Sequence, residues 1–474
     1  MKYCSKELLK GKIMTLNDYI NSIRGKRICV IGIGVSNEPW IRLLAFEGCD
    51  VTARDKRSFE QLGMKALELV SMGVKLKLGE DYLEDLNYDV IFRTPGLMPF
   101  DGHLEKAREN GAVITSEMEL FLSLCPCRVF AVTGSDGKTT TTTIISELLK
   151  ASGYKVHLGG NIGNPLLCNV PFMKKEDVVV LELSSFQLHS MNCRPDVAVI
   201  TNISPNHLDK HKDFEDYVSA KESIFLRQDE SCRLVLSAED EFSARFAGKA
   251  ASEKSYFSIE GETGNGAFLK DGTLFRTSAG NARAVMQSED ILLPGEHNIK
   301  NYLAAFAATE GWVSDEVCAE VAKSFKGVEH RLESVRVRRG VRYINDSIGS
   351  SPTRTIAGLK ALKTKPIIIV GGYDKLIPFD SLGDELCKRA KAVIFTGATA
   401  DKIEQAVVSS EYFEGAGLIM KKVPEFDGAV YAAVEMAGEG DIVLLSPACA
   451  SFDCFQNFAE RGNHFKKLIM ELAE

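Results

Sequence analysis

The sequence predicts an α/β protein built on parallel sheets and divided into three domains. Three observations carry this. Short apolar runs alternate with stretches of helical periodicity along nearly all of the 474 residues, the pattern of strand–helix–strand units. Several of the runs end in Gly-rich or polar loops, where open parallel sheets hold their ligands. The length itself, at about 100–200 residues per domain, asks for two to four domains.

Composition removes the competing classes. Apolar residues make up 45% and charged residues 26%, which excludes wholesale disorder and fibrous architectures. A net charge of −8 argues against nucleic acid or an anionic membrane as the main partner. The 12 cysteines are scattered, and Cys125 and Cys127 form a CxC with no second pair at zinc spacing. They read as reduced thiols. The opening MKYCSKELLKGK has no apolar core of a signal peptide, and no apolar run approaches the ~18 residues of a spanning helix. A cytoplasmic monomer is expected.

The first domain runs over 1–116. Residues 27–31 read as a buried strand, Gly32-Ile33-Gly34 as a tight turn, and Ser36 as the cap of a helix carrying Trp40, Leu43, Leu44 and Phe46. Residues 51–53 form a second strand ending at Asp55. This is a Rossmann-like opening. Its dinucleotide fingerprint is incomplete, since Asn37 replaces the third glycine, but Asp55 stands about where a ribose-reading acid belongs. A nucleotide-containing ligand is implied, and redox chemistry is not required.

The central domain, 117–327, has strands at 128–132, 178–183 and 197–203, hairpins within 255–294 where glycines and turn dipeptides gather, and a helix over 298–312. The last domain, 328–474, opens with a hairpin (333–338 and 341–344) around Arg339-Gly340. It continues with strands at 366–370, 392–395 and 442–445 between helices, a doubly wound, Rossmann-like pattern.

The chemistry sits at strand ends. Thr133-Gly134-Ser135-Asp136-Gly137-Lys138-Thr139-Thr140 lies between a strand and a helix, as a phosphate loop must. Glycines let backbone amides close on phosphate oxygens, Lys138 supplies positive charge, and the Thr139 hydroxyl suits Mg²⁺. The usual first glycine is Val132, so the match is to the shorter GxxGK[ST] form, and the central sheet reads as P-loop ATPase-like. Glu182, at the end of the next strand, is placed as a Mg²⁺ ligand or a surface carboxylate. His207 follows a further strand end. Lys221 falls on the apolar face of a helix with Phe214, Tyr217 and Val218. It either snorkels from the edge of that face or is buried with a depressed pKa, in which case its free amine can react with CO₂. In the last domain Asp346, Lys375 and Ser451 lie in polar loops after strands.

In order, GSDGKTT, GGNIGNP, ELSSFQL, NISPNHLD, the helical Lys221, HNIKN, EHR, NDS, GGYDK and SPACASFD…NFAERG resemble the Mur ligases of peptidoglycan synthesis over essentially the whole chain. The SPACASFDCFQNFAERG ending is similar to that of the D-glutamate-adding members. The resemblance implies an ATP- and Mg²⁺-dependent ligase that joins D-glutamate to UDP-N-acetylmuramoyl-L-alanine through an acyl phosphate. It implies catalytic roles for Lys138, His207 and Lys221. ATP would be met by Gly134, Ser135, Asp136, Gly137, Lys138, Thr139, Thr140, Asn298, Asn301, Arg331 and Asp346. One Mg²⁺ would be held by Thr139 and Glu182, a second by His207 and a carbamylated, CO₂-derived Lys221. Val35, Ser36, Asp55, Lys56, Arg57 and Thr94 would meet the UDP part, Asn161 and His207 the muramoyl part, and Lys375, Ser451 and Phe458 the D-glutamate. One departure stands out: the family pattern continues NDS with a lysine, and here the residue is Ile348. Arg354 is the nearest downstream cation to replace it. Related readings are a ligase for a different amino acid, including one like folylpolyglutamate synthase, and a non-catalytic nucleotide switch.

Overall fold

A computed structural model describes residues 14–205, 210–293, 295–374 and 377–473. The chain divides between Phe325 and Lys326 into two compact units. The first contains two sheets. One is a five-stranded sheet of β1 (Arg27–Ile31), β2 (Asp50–Asp55), β3 (Lys75–Leu78), β4 (Val90–Phe92) and β5 (Val113–Thr115), in the order β3-β2-β1-β4-β5 and parallel throughout. Ile28, Cys29, Val30 and Ile31 are all buried. A central parallel strand is covered on both faces, so it reads as an unbroken apolar run.

The second sheet has nine strands: β6 (Arg128–Thr133), β7 (Val156–Gly160), β8 (Val178–Glu182), β9 (Val197–Ile200), β10 (Arg233–Ser237), β11 (Glu253–Ser258), β12 (Gly266–Lys270), β13 (Thr273–Ser278) and β14 (Asn281–Gln287), in the order β14-β13-β12-β11-β10-β9-β6-β8-β7. Only β12–β13 and β13–β14 pair antiparallel, so the expected hairpins extend one edge of a parallel sheet. From β6 the chain leaves toward β7, and from β9 it leaves in the opposite direction. The crevice between the ends of β6 and β9 is therefore the topological switch point.

The second unit is a six-stranded sheet of β15 (Glu333–Arg338), β16 (Val341–Asn345), β17 (Ile367–Gly371), β18 (Ala392–Thr396), β19 (Ile419–Lys422) and β20 (Ile442–Leu445), in the order β15-β16-β20-β17-β18-β19. The β15–β16 hairpin turns at Arg339 and Gly340, both at positive φ (48° and 74°), the pair that a primed two-residue turn needs.

Some local expectations change. Ser36 does not cap the helix that follows β1. That helix is Glu38–Phe46, its cap residue Asn37 makes no capping bond with its side chain, and Asn37 Nδ2 instead donates to Ile31 O at 2.9 Å. Phe46, expected on the apolar face, is 81% exposed. β9 stops at Ile200 rather than 203, because Thr201 and Asn202 turn to bond the phosphate loop. The helix expected over 298–312 spans Glu296–Ala308. Among the described residues no helix is long and apolar enough to cross a membrane, and every described cysteine is a free thiol.

Candidate functional site

The loop from Gly134 to Gly137 leaves β6 and enters the helix Lys138–Ala151. Its backbone needs glycine at both ends. Gly134 has φ 146° and an added Cβ would lie 1.9 Å from Thr201 Oγ1, while Gly137 has φ 77° with Asn301 Oδ1 at 2.4 Å. The loop after β9 clamps it. Ser135 N donates to Asn202 O (2.8 Å), Asp136 N to Asn202 Oδ1 (2.9 Å), and Thr201 Oγ1 to Asp136 O (2.6 Å). Lys138 folds its ammonium back to Ser135 O at 2.8 Å. Thr140 is half-buried in the first turn of that helix. Asn301 joins from the helix Glu296–Ala308, where it accepts from Thr141 Oγ1 at 3.2 Å and lies 3.4 Å from Asn298 Oδ1 through Nδ2.

Glu182, at the end of β8, is buried. One carboxylate oxygen accepts from Thr139 Oγ1 at 2.6 Å, the other from Asn161 Nδ2 at 2.7 Å. A hydroxyl and a carboxylate beside a phosphate loop are hard oxygen donors of the kind Mg²⁺ takes. Lys221 does not snorkel: it is 1% exposed. Its ammonium donates to Gly134 O at 2.8 Å and lies 4.6 Å from the centre of the Tyr217 ring. Burial, then the nearby Lys138 charge, pushes its pKa well below the usual lysine range. Tyr217 had only the look of a core aromatic, yet its hydroxyl sits 2.8 Å from Ser135 Oγ. His207 lies outside the described residues.

Comparison with known proteins decides the lineage. The family model described as Mur ligase middle domain matches residues 132–309, and the one described as Mur ligase, glutamate ligase domain matches 330–449. A protein of Acetivibrio thermocellus named UDP-N-acetylmuramoylalanine--D-glutamate ligase is 48% identical over 96% of this chain and 98% of its own. A namesake from Clostridium novyi is 48% identical over 97% and 99%. The chain belongs to the Mur ligase family. The UDP-N-acetylmuramate-alanine ligase of Thermotoga maritima, 19% identical, shares the fold with a TM-score of 0.57 over 94% of this chain and 99% of that one.

In this Mur ligase the expected nucleotide-side residues gather at the ends of β1, β2 and β4. Asp55 is buried. It accepts from Ile33 N at 2.7 Å and pairs with the Arg57 guanidinium at 2.8 Å. Burial opposes its charge, but the Arg57 and Ile33 bonds hold its pKa below the usual value. Thr94 packs against Gly32 so closely that a Cβ there would lie 2.9 Å from it. Lys56 and Val35 are exposed, and Ser36 is half-buried, in a cleft shared with Arg93, Glu117 and Gln187. Arg93, which the motifs did not flag, is buried and ties this sheet to the central one by donating to Phe186 O (3.2 Å) and Ser190 Oγ (2.6 Å).

The last unit draws its loops together around a residue the motifs contained but did not single out. Arg461 donates to Ser347 Oγ and O, Ala450 O and Cys449 O at 3.0–3.1 Å. It thereby fixes the NDS and SPACAS loops to each other. Ser451 is buried, and Phe458 is 38% exposed with its carbonyl accepting from Ser347 Oγ at 2.7 Å. Asp346 is buried and accepts from Ser446 Oγ at 2.6 Å, and burial pushes its pKa up to about 6. Arg331 is half-buried. Arg354 reaches back to Ile348 O at 3.3 Å. Lys375 lies outside the described residues.

Proposed function

We propose that this Mur ligase adds D-glutamate to UDP-N-acetylmuramoyl-L-alanine, with ATP converted to ADP and phosphate. The observation that carries the reading is Glu182, whose two oxygens are taken by Thr139 from the phosphate loop and by Asn161 from the GGNIGNP loop. One buried carboxylate thus joins the nucleotide side to the muramoyl side. The choice of D-glutamate is supported by the near-full-length relatives that carry that name.

In this reading the muramoyl alanine carboxylate attacks the γ-phosphorus of ATP and ADP leaves. The amine of D-glutamate then attacks the acyl carbon, gives up a proton, and phosphate departs. Two anions meet in the first step. Lys138 supplies a fixed positive charge where the γ-phosphoryl group develops its own. Backbone amides of Gly137 to Thr140 cradle the phosphates, Gly134, Ser135 and Asp136 shape the loop that presents them, and Asn298 and Asn301 meet the nucleotide. Thr139 and Glu182 fit one Mg²⁺ by their donor set, and His207 with Lys221 would hold a second. Mg²⁺ held by these residues would supply charge that screens the repulsion between the carboxylate and ATP.

Lys221 suits carbamylation because burial, then the nearby Lys138 charge, favours its neutral, nucleophilic amine over the ammonium. Its nitrogen attacks CO₂, a proton is released, and an anionic oxygen ligand replaces a cation. One N–H remains to donate to Gly134 O. Residues 1–116 would serve the UDP part through Val35, Ser36, Asp55, Lys56, Arg57 and Thr94. Residues 117–327 would serve ATP and the muramoyl carboxylate. Residues 328–474 would serve D-glutamate through Lys375, Ser451 and Phe458, with Arg331 and Asp346 on the nucleotide.

Measuring ADP and phosphate with each substrate omitted in turn tests the reaction class. Release should need the muramoyl substrate and D-glutamate together. Equal hydrolysis with neither present would make the protein a nucleotide switch or plain ATPase.

A further inference from the structure

Outside the groups used above, the first unit holds a buried polar chain that no step of the reaction employs. His211 has its side chain wholly buried. Its Nδ1 lies 2.8 Å from Asp216 Oδ2 and its Nε2 lies 2.9 Å from Ser185 Oγ. The ring is stacked on Phe186 (5.5 Å between centroids, 12° between planes) and meets the edge of Tyr217 at 5.2 Å. The other Asp216 oxygen accepts from His189 Nε2 at 2.9 Å. Burial works against the Asp216 charge, but the bonds from His211 and His189 hold its pKa below the usual value. A carboxylate at Nδ1 fixes the proton there and leaves the Nε2 lone pair to accept from the Ser185 hydroxyl. The chain therefore has one direction: Ser185 donates to His211, and His211 donates to Asp216.

What the chain connects gives it a role. Ser185 is three residues past Glu182 and opens the helix Ser185–Leu188. Asp216 is in the first turn of the helix Phe214–Glu222, which carries Lys221. Glu182 ends a strand and Lys221 lies near the end of a helix, and the separation of these carriers must be fixed for both to serve as metal ligands. We infer that Ser185, His211 and Asp216 form a positioning chain that sets the loop of Glu182 against the helix of Lys221, and so tunes divalent-cation affinity. The inference rests on the proposed two-metal reading. None of the three residues touches the phosphate loop through this chain, so they are positioning residues, like the partners that orient first ligands at other metal centres.

The test compares the wild type with Ser185→Ala, Asp216→Asn, the double variant, and His189→Ala. His189→Ala removes the bond at the far side of Asp216 and the ring contacts of His189 with His211 and Phe100, and leaves the bonds from Ser185 to His211 and from His211 to Asp216 in place. Mn²⁺ binding is followed by electron paramagnetic resonance in bicarbonate buffer without substrates, and Mg²⁺ activation and the ATP KM are measured in the ligase assay. Loss of such outer partners typically weakens metal binding ~10–100-fold. Ser185→Ala and Asp216→Asn should each weaken Mn²⁺ binding and Mg²⁺ activation by about that much. Melting temperature and ATP KM should hardly move. The double variant should be no worse than either single one, since a chain is broken once, and His189→Ala should stay within about twofold of wild type. Unchanged Mn²⁺ binding in Ser185→Ala, additive losses, or losses that track the melting temperature would overturn the inference while leaving the ligase reading intact. Normal Mn²⁺ effects in a protein that ligates no amino acid would instead sink the ligase reading alone.

Discussion

Lys221 carries the strongest residue-level prediction. Its ammonium faces a carbonyl and an aromatic ring in a buried setting, a poor home for a cation and a good one for a reactive amine. In ¹³C-bicarbonate the wild type should show a carbamate carbon that Lys221→Ala lacks. Lys221→Ala should lose turnover, and formate should restore part of it by filling the vacant ligand position. Absence of the carbamate signal in active enzyme would contradict this role. Glu117 gives a pH prediction. Its carboxylate accepts from Leu167 N at 3.0 Å, and burial pushes its pKa up from 4.5 to about 7. With the folded value raised, its contribution is fully present below pH 4.5 and is lost as pH rises through about 7. Relative to Glu117→Gln, the wild type should lose on the order of 3 kcal/mol over that range. A pH-independent difference in urea unfolding would refute burial as the cause. At this scale the sequence showed which polar residues follow strand ends. It could not show Arg461 or Arg93 as buried anchors, because an arginine's burial depends on carbonyls distant in the chain.

The two glycines of the phosphate loop differ in what surrounds them. Gly134→Ala drives a Cβ against Thr201 in a backbone region closed to alanine. It should abolish turnover and lower the melting temperature. Gly137→Ala meets only the movable end of Asn301, and a left-handed alanine costs about 1–2 kcal/mol. That variant should fold and show a raised ATP KM. Equal effects of the two would mean that the loop is not held by the clamp after β9. In the last unit Arg354 sits beside Ile348, where the family pattern has a lysine. Arg354→Ala should raise the D-glutamate KM several-fold and leave that of the muramoyl substrate alone, and an unchanged value would show that other groups suffice. Elements were legible where apolar or alternating runs met glycine turns, as at β6 and the β15–β16 hairpin, or polar ones, as at β8. β3 and β19 escaped notice because both are short and lysine-rich, β3 mostly half-buried and β19 largely exposed. The cap at Ser36 failed because Asn37, one residue on, is the cap residue and its side chain bonds the end of β1 instead of an amide of the helix.

On the scale of the whole molecule, three sheets with their polar loops at strand ends follow from the alternation of apolar runs and helices. The family follows from motifs kept in order over the full length. In the proposed reading the amino-acid specificity is the least local property, since it would rest on loops after several strands of the last sheet and on the departure at Ile348. It is also the central claim, so the direct measurement is phosphate release from ATP with UDP-N-acetylmuramoyl-L-alanine and a panel of amino acids. The panel holds D-glutamate, L-glutamate, L-alanine and a diamino acid. Release should be fastest with D-glutamate by at least about tenfold in kcat/KM, a difference of ~1.4 kcal/mol in transition-state binding. Preference for any other member of the panel would contradict the assignment.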